Sequence, residues 1–185
     1  IDGDPGRTVI FNGKCQWGLT NEQRENFGKT KDDWKLSVRY MTYVKSQNLY
    51  GKTTVATTMR IADMAGIKIF VTGGIGGVHR GAQTSMDISA DLTEMAQTSV
   101  AVVSAGVKSI LDIGLTLEYL ETKGIPVITY GQDEFPSFYS RISGFNSPLR
   151  LDTAAEIAAL MRGVQESEVA ESIDRLNEIY TKTNR

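Results

Sequence analysis

At 185 residues the chain is long enough to bury one hydrophobic core, and its 41% of hydrophobic residues is ordinary for a globular protein. Twenty Lys and Arg against 22 Asp and Glu leave a net charge of -2 without a run of either sign, which excludes the basic footprint of a nucleic-acid or membrane-surface binder. No apolar stretch approaches the roughly 20 residues of a membrane span, and the lone Cys15 has no partner for an internal disulfide, so a reducing, cytoplasmic setting is expected. The opening Ile1-Asp2-Gly3-Asp4-Pro5 has neither Met nor a signal pattern and reads as an internal cut.

Thr8 to Phe11 reads as a strand, Asn12-Gly13 as a two-residue hairpin turn, and Lys14 to Leu19 as the returning strand of a small edge element. Thr20 with Gln23 three residues on is a helix start running toward Phe27. Lys35 to Val44, rich in β-branched and aromatic residues, is expected to be a strand. Val55, Met59 and Ile61 to Met64 form an apolar stripe that predicts a helix over Thr53 to Ala65, stopped by Gly66.

Ile67 to Val71 is too short for a helix and predicts a buried strand. It leads into Thr72 to Gly81, where five glycines in ten residues permit positive φ and close approach to a ligand. Asp87-Ile88-Ser89-Ala90-Asp91 then places two carboxylates and a hydroxyl where a helix should start. Val100 to Ser104 is a second short strand, delivering Ala105 to Ser109 to another helix with Ile110, Leu111, Leu115, Leu117 and Leu120 at helical spacing. Lys123-Gly124 ends that helix, and Val127 to Tyr130 is the next strand. An aromatic-rich loop follows from Asp133 to Tyr139. Asp152-Thr153 caps a helix through Met161, and Val169, Ile173, Leu176 and Tyr180 form a stripe on a terminal helix.

Strand and helix alternate, which predicts a single α/β domain over 1–185: a mostly parallel central sheet with helices on both faces and a small N-terminal hairpin. In such sheets ligands bind at the carboxyl edge, to which two strand ends bring glycines, carboxylates and Lys108.

Two familiar phosphate motifs fail. Gly74 and Gly76 begin a G-x-G-x-x-G pattern whose last position is His79, and Gly51-Lys52-Thr53 lacks the leading glycine of a P-loop because position 46 is Ser46. Asp87, Ser89 and Asp91 can cap a helix, while a carboxylate there can hold a hard cation such as magnesium or manganese, and Ser89 with free backbone N–H groups can bind a phosphate. Lys108 lies between a buried strand and a helix start, where like charge and desolvation favour a neutral amine able to attack an aldehyde carbon. His79, the only histidine, is either a structural donor or a ligand contact.

FVTGGIGGVHRG over 70–81, DISADLTE over 87–94 and AGVKSILD over 105–112, followed by EYLET over 118–122 and DEFP over 133–136, resemble the pseudouridine-5'-phosphate glycosidase family. The resemblance runs from about Thr8 to Met161. It implies a manganese-dependent, trimeric α/β enzyme, a lyase of nucleotide catabolism, that reversibly splits the C–C glycosidic bond of pseudouridine 5'-phosphate into uracil and ribose 5-phosphate. The family's nucleophilic lysine falls on Lys108 and its metal-binding aspartate on Asp87. Its substrate contacts fall on Ser89, Ala90 and Asp91, with a backbone contact at Val55. A further family lysine, in K-x-S-R-R-D, falls on Lys35, although Val38 and Tyr40 replace the usual Arg and Asp.

The resemblance also identifies departures. The family's general-acid glutamate belongs to an E-S-T-like motif that lies before the first residue here, and its later N-P-I-P motif has no counterpart after Arg162. The chain is therefore expected to be a fragment of a longer family fold with nucleophile, cation and phosphate parts. A C-nucleoside-forming synthase of the same fold, and a catalytically incomplete binding or assembly subunit, are the alternatives.

Overall fold

The computed structural model of the chain describes residues 8–29 and 34–163, so the stripe from Val169 to Tyr180 lies outside the described residues. The architecture is α/β, with helices and several small sheets. β1 (Thr8–Phe11) and β2 (Lys14–Trp17) form the expected hairpin, with Phe11 opposite Lys14. Asn12 and Gly13 take the φ angles of 49° and 71° that a two-residue turn of this hand requires. Through β2, its outer strand, the hairpin forms one edge of its sheet, as expected. β1 sits inside a four-stranded sheet, antiparallel to β4 (Gly51–Thr53), which in turn runs parallel to β3 (Trp34–Leu36).

α1 (Asn21–Lys29) starts as expected: the Gln23 N–H donates to Thr20 Oγ1 at 3.2 Å while the Thr20 N–H donates to Gln23 Oε1 at 2.9 Å. The strand expected over Lys35 to Val44 is corrected. Only its start belongs to β3, and α2 (Val38–Ser46) follows. Val38, Met41 and Val44 recur at helical spacing, and burying Met41 and Val44 against Ile10, Leu36 and Ile61 overrides the local β preference.

α3 (Val55–Met64) is capped by Thr54, which exchanges bonds reciprocally with Thr57, and Gly66 at φ 72° ends it. The helix serves two cores: Ile61 enters the cluster under the first sheet, while Met59 and Ala62 join Ile75, Val107, Leu111 and Phe135 in the larger one.

β5 (Ile69–Val71) pairs in parallel with β6 (Ala101–Val103), and β7 (Ile128–Tyr130) with β8 (Leu149–Leu151), a strand with no advance signal in the sequence. The described strands thus divide among three small sheets where one mostly parallel central sheet is expected. Each strand is short, and beyond β5 and β6 the chain continues as paired loops. The burial expected of β5 is also corrected: Phe70 and Val102 pack on the core, while Ile69 and Val71 on the opposite face are 54% and 70% exposed. Three helices complete this half, α4 (Ala82–Ser85), α5 (Ala90–Met95) and α6 (Ile113–Thr122). The last described helix, over 154–163, begins at a capping box in which the Glu156 N–H donates to Thr153 Oγ1 and the Thr153 N–H to Glu156 Oε2.

α5 is tied to α3 by a charged pair. Arg60 Nη2 donates to Glu94 Oε2 at 2.8 Å, and Arg60 Nε approaches Glu94 Oε1 to 2.6 Å without hydrogen-bond alignment. The bond to Glu94 is the main reason that the guanidinium holds its proton above its ordinary range. Glu94 is buried but the Arg60 side chain is 36% exposed, so solvent screens the pair. Glu94→Gln should therefore cost about 2 kcal/mol in denaturant unfolding, less than the roughly 3–5 kcal/mol of a fully buried pair. An unchanged midpoint would show that the pair adds nothing to stability.

Candidate active site

The segment Ile75 to His79 is the axis of the site, and the other motifs attach to its two sides. On one side the loop after β6 runs parallel to it: the Ala105 N–H donates to Gly73 O, the Ile75 N–H to Gly106 O, and the Lys108 N–H to Ile75 O at 3.2 Å. Farther along, the Asp112 N–H donates to Val78 O at 2.9 Å. On the other side the DISAD segment runs antiparallel, the Ser89 N–H bonding Gly77 O and the His79 N–H bonding Asp87 O, each at 3.0 Å. Three stretches distant in sequence are thereby held edge to edge.

The glycines work differently from the expectation. Of the five between Thr72 and Gly81, only Gly81 has positive φ. Gly74, Gly76 and Gly77 are small because protein side chains fill the space: a Cβ at Gly76 would overlap Ser89 Oγ and lie 2.7 Å from Asp91 Oδ2, one at Gly77 would lie 2.6 Å from Thr116 Oγ1, and one at Gly74 would overlap the Phe138 ring. Gly106 combines both needs, with φ 91° and the Pro136 carbonyl against its missing Cβ, so the DEFP loop packs under the turn that leads to Lys108.

Asp91 is buried and joins two of these parts: its Oδ1 accepts from the Ala56 N–H at 2.8 Å and its Oδ2 from the Gly76 N–H at 2.9 Å. Ser89 caps α5, its Oγ accepting from the Asp91 N–H at 3.3 Å, so this helix starts at Ala90 and not at Asp87. At the start of α3 the Ala56 and Thr57 N–H groups have protein acceptors, while among the described residues Val55 has none for its own. Lys35 is exposed on β3, one residue before Leu36, whose carbonyl accepts a long 3.5 Å bond from Thr57 Oγ1 in the first turn of α3.

Lys108 is exposed, so the desolvation expected of it is absent from this chain, and its side chain forms no ion pair among the described residues. One residue along the chain, Arg80 Nη2 donates to Ser109 O at 3.4 Å. Asp87 is exposed too, with Oδ2 3.8 Å from His79 Nδ1, an attraction only when the imidazole is protonated. Lys108 and Asp87 attach near opposite ends of Ile75 to His79, at most roughly 14 Å of chain.

Over residues 2–182 the chain matches the family model described as indigoidine synthase A like protein. The chain belongs to this family. Among curated relatives it is 59% identical over 157 residues to a pseudouridine-5'-phosphate glycosidase of Nocardioides, covering 85% of this chain and 51% of that protein. A glycosidase of the same name from Clostridium botulinum is 57% identical, over 85% of this chain and 52% of the relative. The chain thus spans about half the length of these curated relatives. Among solved structures, a prealnumycin C-glycosynthase in complex with ribulose 5-phosphate superimposes with a TM-score of 0.83 at 41% identity, over 85% of this chain and 52% of that one. An indigoidine synthase A-like protein from Thermotoga maritima gives 0.79 at 36% identity, over 87% and 53%.

Within this indigoidine synthase A-like chain, the described residues contain no group of three or more His, Cys, Asp or Glu side chains able to enclose a metal. One exposed carboxylate fits a hard cation that keeps most of its waters and takes the rest of its ligands from a substrate, as magnesium and manganese do. Sequence reasoning overlooked Thr116 and Phe138. Thr116 is fully buried, and its Oγ1 accepts from the Val78 N–H at 2.9 Å, pinning the axis to α6. A hydroxyl inside the apolar stripe of α6 was its available signal, whereas nothing local marks Phe138 as the filler of the Gly74 gap.

Proposed function

We propose that this chain carries the nucleophile, cation and phosphate parts of a pseudouridine-5'-phosphate glycosidase, a lyase that reversibly splits the C–C glycosidic bond to give uracil and ribose 5-phosphate and works as a homo-oligomer, a trimer by resemblance. The observation that carries this reading is the assembly of the GGIGG, DISAD and AGVKS motifs around Ile75 to His79 in a chain 59% identical to a relative of that name. Val55, Ser89, Ala90 and Asp91 form the substrate-facing segments, with Lys35 as a further positive charge for the phosphate. Asp87 would hold Mn2+, which when bound supplies charge and polarised water near the substrate.

A positioned acid protonates the ring oxygen as the C1'–O bond opens, and the Lys108 amine adds at C1'. The C1'–C5 bond then breaks, its electron pair goes to uracil C5, which takes a proton, and the imine left on Lys108 is hydrolysed by water to free ribose 5-phosphate. Uracil release from pseudouridine 5'-phosphate, measured with these residues joined to the segment that carries the acid, tests the assignment. No release, together with no condensation of uracil with ribose 5-phosphate, would remove it. The same parts run backward make a C-nucleoside, a reading favoured by the structural likeness to a C-glycosynthase; a faster rate with a base other than uracil would select it.

The cation assignment has its own test. Removing an outer-sphere partner typically weakens metal binding about 10–100-fold, so removing the single ligating charge in Asp87→Asn should lower Mn2+ affinity by at least about 100-fold in calorimetry. Asp87 is exposed and the change conserves volume, so the fold should survive. Retained affinity would take Asp87 out of the cation site.

A further inference from the structure

We infer that the Asp91 side chain is a positioning group, a buried clip whose two carboxylate oxygens hold the start of α3 and the glycine segment together, so that any substrate contact at this residue is made by its main chain and not by its carboxylate. The inference deepens the proposed function and rests on it for the identity of the ligand. Four observations converge. The residue is only 7% exposed. Each oxygen is already committed to a backbone donor, one in α3 and one in the glycine segment, across sequence separations of 35 and 15 residues. Gly76 has no room for a Cβ because Asp91 Oδ2 and Ser89 Oγ occupy that space, so the carboxylate is packed against the backbone it binds. The neighbouring segments named as substrate-facing all attach to this joint: Val55 precedes Ala56, Ser89 caps the helix that carries Asp91, and the Lys108 N–H is bonded to the carbonyl of Ile75, the residue before Gly76.

A carboxylate suits this place because it is an acceptor on both oxygens. In Asp91→Asn one of the two backbone N–H groups would face an NH2 and lose its partner in a buried position, while the volume stays the same. Released at that point, α3 and the glycine segment can separate, and Lys108 moves with the latter.

The test is residue-resolved amide exchange on the ligand-free 185-residue chain, joined to borohydride trapping of Lys108 with ribose 5-phosphate. In the wild type, the Ala56 and Gly76 amides should exchange slowly. In Asp91→Asn at least one of them should exchange about tenfold faster or more, beyond any acceleration shared by core amides elsewhere in the chain. The trapping rate at saturating ribose 5-phosphate should fall by a similar factor, and Asp91→Glu, which keeps both acceptors, should recover part of both readouts. A direct substrate contact by the carboxylate gives a different result: more ribose 5-phosphate needed for half-saturation, a normal rate at saturation, and wild-type exchange at both amides. That result would overturn the clip. If Asp91→Asn does not fold, the wild-type experiment still decides, because fast exchange at either amide without ligand excludes the bonds. If the wild type binds no ribose 5-phosphate, the proposed function fails while the exchange readout on the clip stands.

Discussion

Lys108→Ala is expected to abolish covalent capture of ribose 5-phosphate. Borohydride reduction in the presence of that sugar should add one ribose phosphate to the wild-type chain, on the peptide containing Lys108, and nothing to the variant. The expectation comes from placement more than from burial. The Lys108 backbone is fixed by its bond to Ile75 O, while its amine is exposed and without an ion-pair partner among the described residues. Other lysines lie outside the paired segments of the site: Lys35 and Lys52 lie side by side in a strand pair of the first sheet, and Lys123 lies over the Tyr119 ring at a helix end. A label on any of these, or a full label in Lys108→Ala, would refute the assignment. Because the amine is exposed in this chain, any desolvation that favours its neutral form has to come from bound substrate or from added polypeptide. Trapping should accordingly speed up when the remaining half of the family fold is supplied.

The second large effect concerns the proton donor. A protein of these 185 residues alone should release uracil about 10²–10⁴-fold more slowly than one that also carries the E-S-T-like segment with its glutamate, because that is the range a positioned general acid contributes. Mixing the chain with a polypeptide bearing the segment should recover part of the difference. Two carboxylates within the chain could be imagined as substitutes, and the structure argues against both. Glu94 is buried and bound to Arg60, and Asp112 caps α6, its Oδ1 accepting from the Leu115 N–H at 3.0 Å. Proton transfer from either would cost a structural bond. Full turnover by the chain alone would contradict this and would direct attention to another acid on the exposed side of the site. Ribose 5-phosphate binding without any turnover, even with the segment supplied, would favour the binding-subunit alternative.

Much of the local structure was legible in the residues because its causes are local. Asn12-Gly13, the reciprocal cap at Thr20 and the stop at Gly66 each depend on neighbours within a few positions, and each forms as expected. Lys35 to Val44 misled because its β-branched and aromatic content and its helical spacing point in opposite directions, and only the burial of Met41 and Val44 chose between them. The motifs around Lys108 and Asp87 could be named from the chain, since each is a contiguous string. The sequence by itself therefore determined the turns, the caps, most helices and the identity of the chemical groups. The tertiary structure alone decided their geometry: that β1 lies inside its sheet, that the strands divide among three sheets, that Gly74, Gly76 and Gly77 make room for Phe138, Ser89, Asp91 and Thr116, and that Lys108 is exposed. The physical reason is range, because hydrogen bonds such as Asp91 to Ala56 and side-chain packing join residues tens of positions apart, and local propensity contains no information about which distant partner will fill a space.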